Sequence, residues 1–324
     1  LGLSASAYGL GAGIFFVSYT LFEVPSNVVL ARIGARLWIA RIMITWGLVS
    51  SGMMLVQGPT SFYAMRFLLG AAEAGFFPGI IYYLTQWFPA RERARAIAAF
   101  MTASLTAGII GGPVSGALLL MNGIGGLAGW QWLFLLEGLP AIVLGIVVLF
   151  YMTERPDDAR WLSADERSAL VEALHRDGND SPASTATIGG ALASGRIWLL
   201  AIVYLTIPIA LYAFGFWLPQ IIRASSNRSD FQVGLLAAIP YLAGACGMMI
   251  AARHSDRAGE RRWHVAGAAL LGGVAFMVSA FVQTLAVSLV TLSLAMLGLA
   301  SMFGPFWALA TSRLSGVGAA AAIA

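Results

Sequence analysis

Ala31-Arg32-Ile33-Gly34-Ala35-Arg36-Leu37-Trp38 returns 225 residues later as Asp256-Arg257-Ala258-Gly259-Glu260-Arg261-Arg262-Trp263. Arg, Gly, Arg and Trp coincide at one offset, and each copy stands between two long apolar runs. Pro78 and Pro305 keep nearly the same spacing. A parallel repeat of apolar helices is a transporter architecture, with the substrate site near the bilayer midplane between the two halves.

Composition agrees with that reading. Of 324 residues, 59% are hydrophobic and 10% charged. Soluble domains carry about a quarter of their residues as charges, so this chain cannot cover a water-facing surface. All 19 basic residues are arginine. Without lysine there is no P-loop on nucleotide phosphates and no retinal Schiff base, which excludes an ATPase of that type and a light-driven pump. The single Cys246 can form no internal disulfide. The net charge of +4 calls for no nucleic acid.

Apolar windows of spanning length occur at 8–30, 37–56, 61–87, 96–120, 131–152, 197–221, 231–252, 263–283 and 285–311. They are too long and too evenly apolar for a β-barrel. The connectors alternate in charge. Arg32 and Arg36, then Arg91, Arg93 and Arg95, then the segment 153–196, then Arg253 to Arg262 fall on one side, and only Arg223 and Arg228 fall on the other. The positive-inside rule puts the arginine-rich side in the cytoplasm and residue 1 outside. Leu1–Ala7 lacks a basic residue and is not read as a signal peptide. Within 153–196, Ser163 and Glu166 form a capping-box pattern ahead of a helical stretch, Asp165–Arg176, and Asp177–Ser194 reads as flexible linker. The repeat offset implies partners before residue 1 for 197–221 and beyond residue 324 for 96–120 and 131–152. The expectation is therefore nine of twelve helices: an N-terminal bundle at 1–152 lacking its first helix, a linker at 153–196, and a C-terminal bundle at 197–324 lacking its last two.

Several segments together resemble the major facilitator superfamily, and within it the anion:cation symporter family of tartrate, phthalate, 4-hydroxyphenylacetate and D-galactonate permeases. They are Phe22-Glu23-Val24-Pro25-Ser26-Asn27, the run from Arg66 to Gly79, Trp87-Phe88-Pro89 leading into Arg93, Trp132 to Gly138, and Arg160-Trp161-Leu162-Ser163. The resemblance implies an all-α membrane protein of two six-helix bundles. In the superfamily's loop motif, Gly-x-x-x-Asp-Arg-x-Gly-Arg, the first copy has Asn27 and Ala31 where Gly and Asp are usual, whereas the second keeps Asp256.

Charges at bilayer depth cost about 3 kcal/mol each on insertion scales and mark substrate or proton paths. Arg66 and Glu73 share one face of the third span, about 10 Å apart along its axis. The guanidinium suits a carboxylate, and Glu73 can change protonation state. A structural ion pair is the plainer alternative. The family resemblance implies substrate binding for Arg66 and proton coupling for Glu73. Glu23 reads as a structural or gating ion-pair partner. Asn27, Arg32, Asp256, Arg257 and Arg261 belong to the loop motifs, as gate residues or as a solvated surface. Thr102 and Thr106 share a helix face, as do Tyr204, Pro208 and Tyr212; Thr102, Tyr204 and Tyr212 are candidate substrate contacts, although Thr commonly bonds its own helix backbone. Gly108, Gly112, Pro113 and Gly116 allow close helix packing. His175, His254 and His264 lie in or beside loops without metal-ligand spacing.

These readings converge on proton symport of small organic anions by a multi-pass protein of a bacterial inner membrane, a monomer with no cofactor or metal and no enzymatic activity. An exchanger or exporter of the same fold, or a sensor that no longer transports, remain the alternatives.

Overall fold

A computed structural model describes residues 3–180, 195–282 and 284–311, and those residues contain helices and turns but no strand. The helices are α1 (Ala5–Ile33), α2 (Ala35–Gly52), α3 (Pro59–Glu73), α4 (Phe76–Trp87), α5 (Ala90–Leu119), α6 (Gly129–Tyr151), α7 (Ala164–Asp180), α8 (Gly195–Ala224), α9 (Asp230–Ala258), α10 (Arg262–Ser279), α11 (Leu285–Ser301) and α12 (Phe303–Thr311). Eight segments among them are long and apolar enough to cross a membrane. The ninth expected span, 263–283, is helical only as α10. It opens on Arg262 and carries His264 two residues on, which lowers its apolar character, and it ends at Ser279. Large apolar side chains such as Phe281, Tyr151 and Phe150 are more than 75% exposed, a surface suited to lipid and not to water.

Contacts divide the chain into two compact units, Leu1–Ile97 with Met121–Gly178, and Ala98–Leu120 with Asn179–Ala324. In the first unit α2 packs along α6, and α1 along α3. Lipid supplies little drive for helices to associate, so close backbone approach has to supply the contact energy. A Cβ on Gly47 would come within 2.7 Å of the Gly138 carbonyl, and one on Gly138 equally close to the Gly47 carbonyl. Leu30, Ala35 and Ile39 form a small core near the α1–α2 turn.

The segment after α6 is pinned beneath this unit. Glu154 accepts from the backbone N–H groups of Ala35 (2.5 Å) and Arg36 (2.9 Å), so a carboxylate caps the start of α2. The Tyr83 hydroxyl donates to the Thr153 carbonyl at 3.0 Å, and Trp161 stacks on Trp87 with ring centres 5.7 Å apart. The expected capping box is present. Ser163 N–H donates to Glu166 (2.9 Å), and Glu166 N–H to the Ser163 hydroxyl (3.2 Å). Helix α7 continues to Asp180, past the expected end at Arg176, so the first residues assigned to a linker are helical. Residues 181–194 of that linker lie outside the described part.

In the second unit α11 is central, packed against α9 and α10. Phe214, Ile207, Leu292 and Met296 are almost fully buried there. The glycines expected to permit close packing do so: Gly112 meets the Gly234 carbonyl of α9, Gly116 the Asp230 backbone, and Gly108 the Tyr241 ring. Helix α5 starts at Ala90, so the arginine-bearing stretch 91–95 is helix and not connector. An ion pair between Arg223 and Asp230 closes the turn from α8 to α9.

The repeat is built twice in the backbone. Gly34 ends α1 with φ +98°, and Gly259 ends α9 with φ +64°. That left-handed region favours glycine. The two proline-bearing spans are also interrupted, 61–87 by a true turn at Ala74–Gly75 and 285–311 only slightly at Met302, which keeps helical dihedrals (φ −71°, ψ −31°). The span 61–87 is α3 followed by α4, and 285–311 is α11 followed by α12, with Pro78 and Pro305 each third in its new helix. Proline is tolerated in a first turn, where its missing N–H is not needed.

Candidate functional site

The break after Glu73 shapes the site in the first unit. Ala74 (φ −53°, ψ 130°) and Gly75 (φ 87°, ψ 1°) have the values of a type II turn, which demands glycine at its second central position. Continuing the helix would direct the Ala74 carbonyl at Pro78, which has no N–H to offer. The carbonyl instead accepts from the Ser26 hydroxyl of α1 at 2.7 Å. Trp38 Nε1 donates to the same Ser26 oxygen at 2.9 Å. The Asn27 side chain lies next to Gly75 on the same side. Apolar periodicity alone reads 61–87 as one helix; the signal for two was Ala74-Gly75-Phe76-Phe77-Pro78.

Arg66 stands on α3 two turns before Glu73. Its Nε donates to the Gly11 carbonyl at 3.2 Å, and its guanidinium carbon lies 4.9 Å from the centre of the Phe15 ring. Gly70, next on that face, packs against the Phe15 carbonyl and Ser18. The guanidinium is therefore fixed at one edge and one face. Among the described residues its two terminal nitrogens have no hydrogen-bond partner, and they form the edge that a carboxylate engages bidentately. Tyr8 and Glu73 both act on Arg66 electrostatically, but among the described residues Arg66 and Glu73 form no direct ion pair. Glu73 is partly buried at the end of α3, one residue before the break. Insertion costs of about 3 kcal/mol per charge make two such groups on one face expensive for packing alone.

The other candidates are distributed differently. Glu23 is half-buried in α1 and, among the described residues, has no ion-pair partner. Arg32 is exposed in the last turn of α1. In the second unit, Thr102 donates to the Ala99 carbonyl (2.6 Å) and Thr106 to the Thr102 carbonyl (3.0 Å), so both hydroxyls serve their own helix. Tyr204 is partly buried between Phe306 (5.6 Å, stacked) and Trp307 (5.1 Å, edge-on). Tyr212, two turns along α8, is 48% exposed and stacks on Phe216. Arg257 is exposed, and Arg261 donates to the buried Ser255 hydroxyl at 3.2 Å. The Asp256 side chain lies outside the described residues.

Two features escaped the sequence reading. Arg41 is the one charged residue within 37–56, a signal available by inspection. It stacks on Trp38 and donates to the Ala72 carbonyl. At the α9–α10 turn, His254 Nδ1 and His264 Nε2 are 2.7 Å apart, and His264 Nδ1 is 3.1 Å from Glu260. The Trp263 N–H holds the Glu260 carboxyl below the usual carboxylate range. No group of three His, Cys, Asp or Glu residues among those described could hold a metal.

Comparison with known proteins follows the same line. A candidate tartrate transporter of Agrobacterium vitis is 51% identical over all 324 residues, which span 75% of that protein. A candidate metabolite transport protein of Pseudomonas putida, NicT, is 44% identical over the whole chain, again spanning 75% of its length. Among solved structures, a D-xylose-proton symporter superposes over 99% of this chain and 77% of its own, with TM-score 0.73 at 17% identity, a likeness of fold. The family model described as Major Facilitator Superfamily matches residues 1–324, and this integral membrane protein belongs to that superfamily of transporters.

Proposed function

We propose that the protein carries small organic anions across a bacterial inner membrane by proton symport, with Arg66 as the anion ligand and Glu73 as the proton carrier. The observation that carries the reading is the state of Arg66. One edge is tied to the Gly11 carbonyl and one face to Phe15, which leaves the terminal nitrogens as a pre-oriented fork two turns from a carboxyl on the same helix face. Pre-orientation lowers the entropy lost on binding and selects planar carboxylates. The names of the relatives, which specify tartrate in two cases at 51% and 49% identity, favour a small hydroxy-dicarboxylate.

Symport then follows from charge balance. An anion that engages Arg66 removes the attraction that Arg66 exerts on Glu73. Protonation of Glu73 neutralises the carboxyl left at bilayer depth, where a free charge is costly. Thr102, Tyr204 and Tyr212 of the second unit belong to the proposal as candidate hydroxyl contacts, Thr102 and Tyr212 exposed and Tyr204 partly buried. Glu23, Asn27, Arg32, Asp256, Arg257 and Arg261 are proposed as structural or gate residues of the repeated loops. The deciding experiment is uptake of labelled tartrate, phthalate and a sugar acid into proteoliposomes with and without an inward pH gradient. Accumulation of one carboxylate driven by ΔpH alone supports symport. Exchange without such accumulation replaces it with an anion exchanger.

A further inference from the structure

Arg41 lies about 9 Å along α2 from its arginine-rich end, close enough for a long side chain to reach water at the membrane surface. It does not take that course. The guanidinium carbon sits 4.0 Å above the Trp38 ring, and Nη1 donates across to the Ala72 carbonyl of α3 at 3.3 Å. Ala72 immediately precedes Glu73. The turn at Ala74–Gly75 deprives the last carbonyls of α3 of their helical donors, and Arg41 takes one of them while Ser26 takes another. Trp38 serves both, as the surface under Arg41 and as a donor to Ser26. Arg41, Trp38 and Ser26 thus bracket Glu73 by its backbone on either side, at Ala72 and Ala74. Among the described residues Arg41 has no carboxylate partner, so its charge is spent on this arrangement and on the ring beneath it.

We infer that Arg41 is a positioning residue for Glu73: by holding the Ala72 carbonyl from α2 it fixes the end of α3, and with it the direction of the coupling carboxyl, while taking no part in anion binding. The inference rests on the coupling role proposed for Glu73. A helical side chain leans back over the preceding turn, so the direction of Glu73 follows the orientation of the last turn of α3, which Arg41 and Ser26 anchor at Ala72 and Ala74. Loosening that anchor should uncouple proton transfer from transport and leave the anion fork at Arg66, held separately by Gly11 and Phe15, unaltered.

The test compares wild type, Glu73→Gln, Arg41→Met and Arg41→Lys in proteoliposomes with labelled tartrate, measuring ΔpH-driven net uptake and labelled-for-unlabelled exchange. The ratio of net uptake to exchange should fall at least tenfold in Arg41→Met, with KM within threefold of wild type. Arg41→Lys keeps a charged donor but loses the flat stack on Trp38, and its ratio should fall two- to fivefold. A purely structural Arg41 would lower both modes in proportion. An unchanged ratio in either Arg41 variant, beside a lowered one in Glu73→Gln, overturns the inference and leaves the Glu73 reading standing. An unchanged ratio in Glu73→Gln overturns both. If Arg41→Met does not reconstitute, the lysine variant is judged by the same ratio.

Discussion

The Ser26 hydroxyl donates to the Ala74 carbonyl across 48 residues of sequence at 2.7 Å, at the one place where Pro78 leaves that carbonyl without a helical partner. The bond joins α1 to the break in the span that carries Arg66 and Glu73. It makes the break a fixed element of the unit and sets the expectations that follow.

Ser26→Ala leaves the Ala74 carbonyl and Trp38 Nε1 without this partner. Interhelical hydrogen bonds in bilayers contribute about 0.6 to 2 kcal/mol, so a loss near 1 kcal/mol is expected. Gly75→Ala should cost more. A left-handed backbone costs an L-residue about 1–2 kcal/mol, and the new Cβ would collide with Ser26. Gly13→Ala, whose Cβ would meet nothing within 4 Å, is the control and should be neutral or stabilising. Thermal unfolding in detergent reads all three; equal Tm values for Gly75→Ala and Gly13→Ala would contradict this account.

Arg66→Lys keeps the charge but replaces the fork with a point ammonium, and lysine has no Nε to donate to Gly11 while presenting a flat edge outward. Anion affinity should fall at least tenfold. Competition binding with unlabelled tartrate measures it, and an affinity within twofold of wild type would assign Arg66 to structure.

Glu73→Gln imitates the protonated carboxyl and cannot release a proton. The variant should bind and exchange anion at rates within threefold of wild type and lose ΔpH-driven accumulation. Retained accumulation would move the coupling role to Glu23, a half-buried carboxyl of α1 with no ion-pair partner among the described residues.

Glu260 caps α10 by accepting the Trp263 N–H at 2.9 Å, which holds its carboxyl below the usual range. A carboxyl lowered in the folded state stabilises it above the unfolded value, near 4.3, and that contribution fades as pH falls through the folded value. Hydrogen exchange at the Trp263 amide should therefore be slow at neutral pH relative to Glu260→Gln. The difference should vanish in acid, below the ordinary glutamate range. A difference that persisted there would place the protection elsewhere.

The sequence by itself determined the class, the repeat and the two principal charges. Apolar windows of spanning length follow from the thickness of the bilayer, whatever their neighbours. The Arg-Gly-Arg-Trp copies mark two turns whose glycines both have positive φ in the structure. A seven-residue spacing puts Arg66 and Glu73 on one face because a helix of 3.6 residues per turn leaves no other choice. Periodicity carries no information about what a neighbouring helix offers, and there the reading stopped. It drew 61–87 as one helix, since an apolar run looks the same whether or not another helix satisfies its broken backbone. It passed over Arg41 because the partner is a main-chain carbonyl, which no side-chain pattern reveals. It gave His254 and His264, ten residues apart, no role, whereas the α9–α10 turn brings His254 Nδ1 to 2.7 Å from His264 Nε2. Which helix satisfies which exposed backbone group is decided by tertiary packing, because in lipid every such group must find its partner inside the protein.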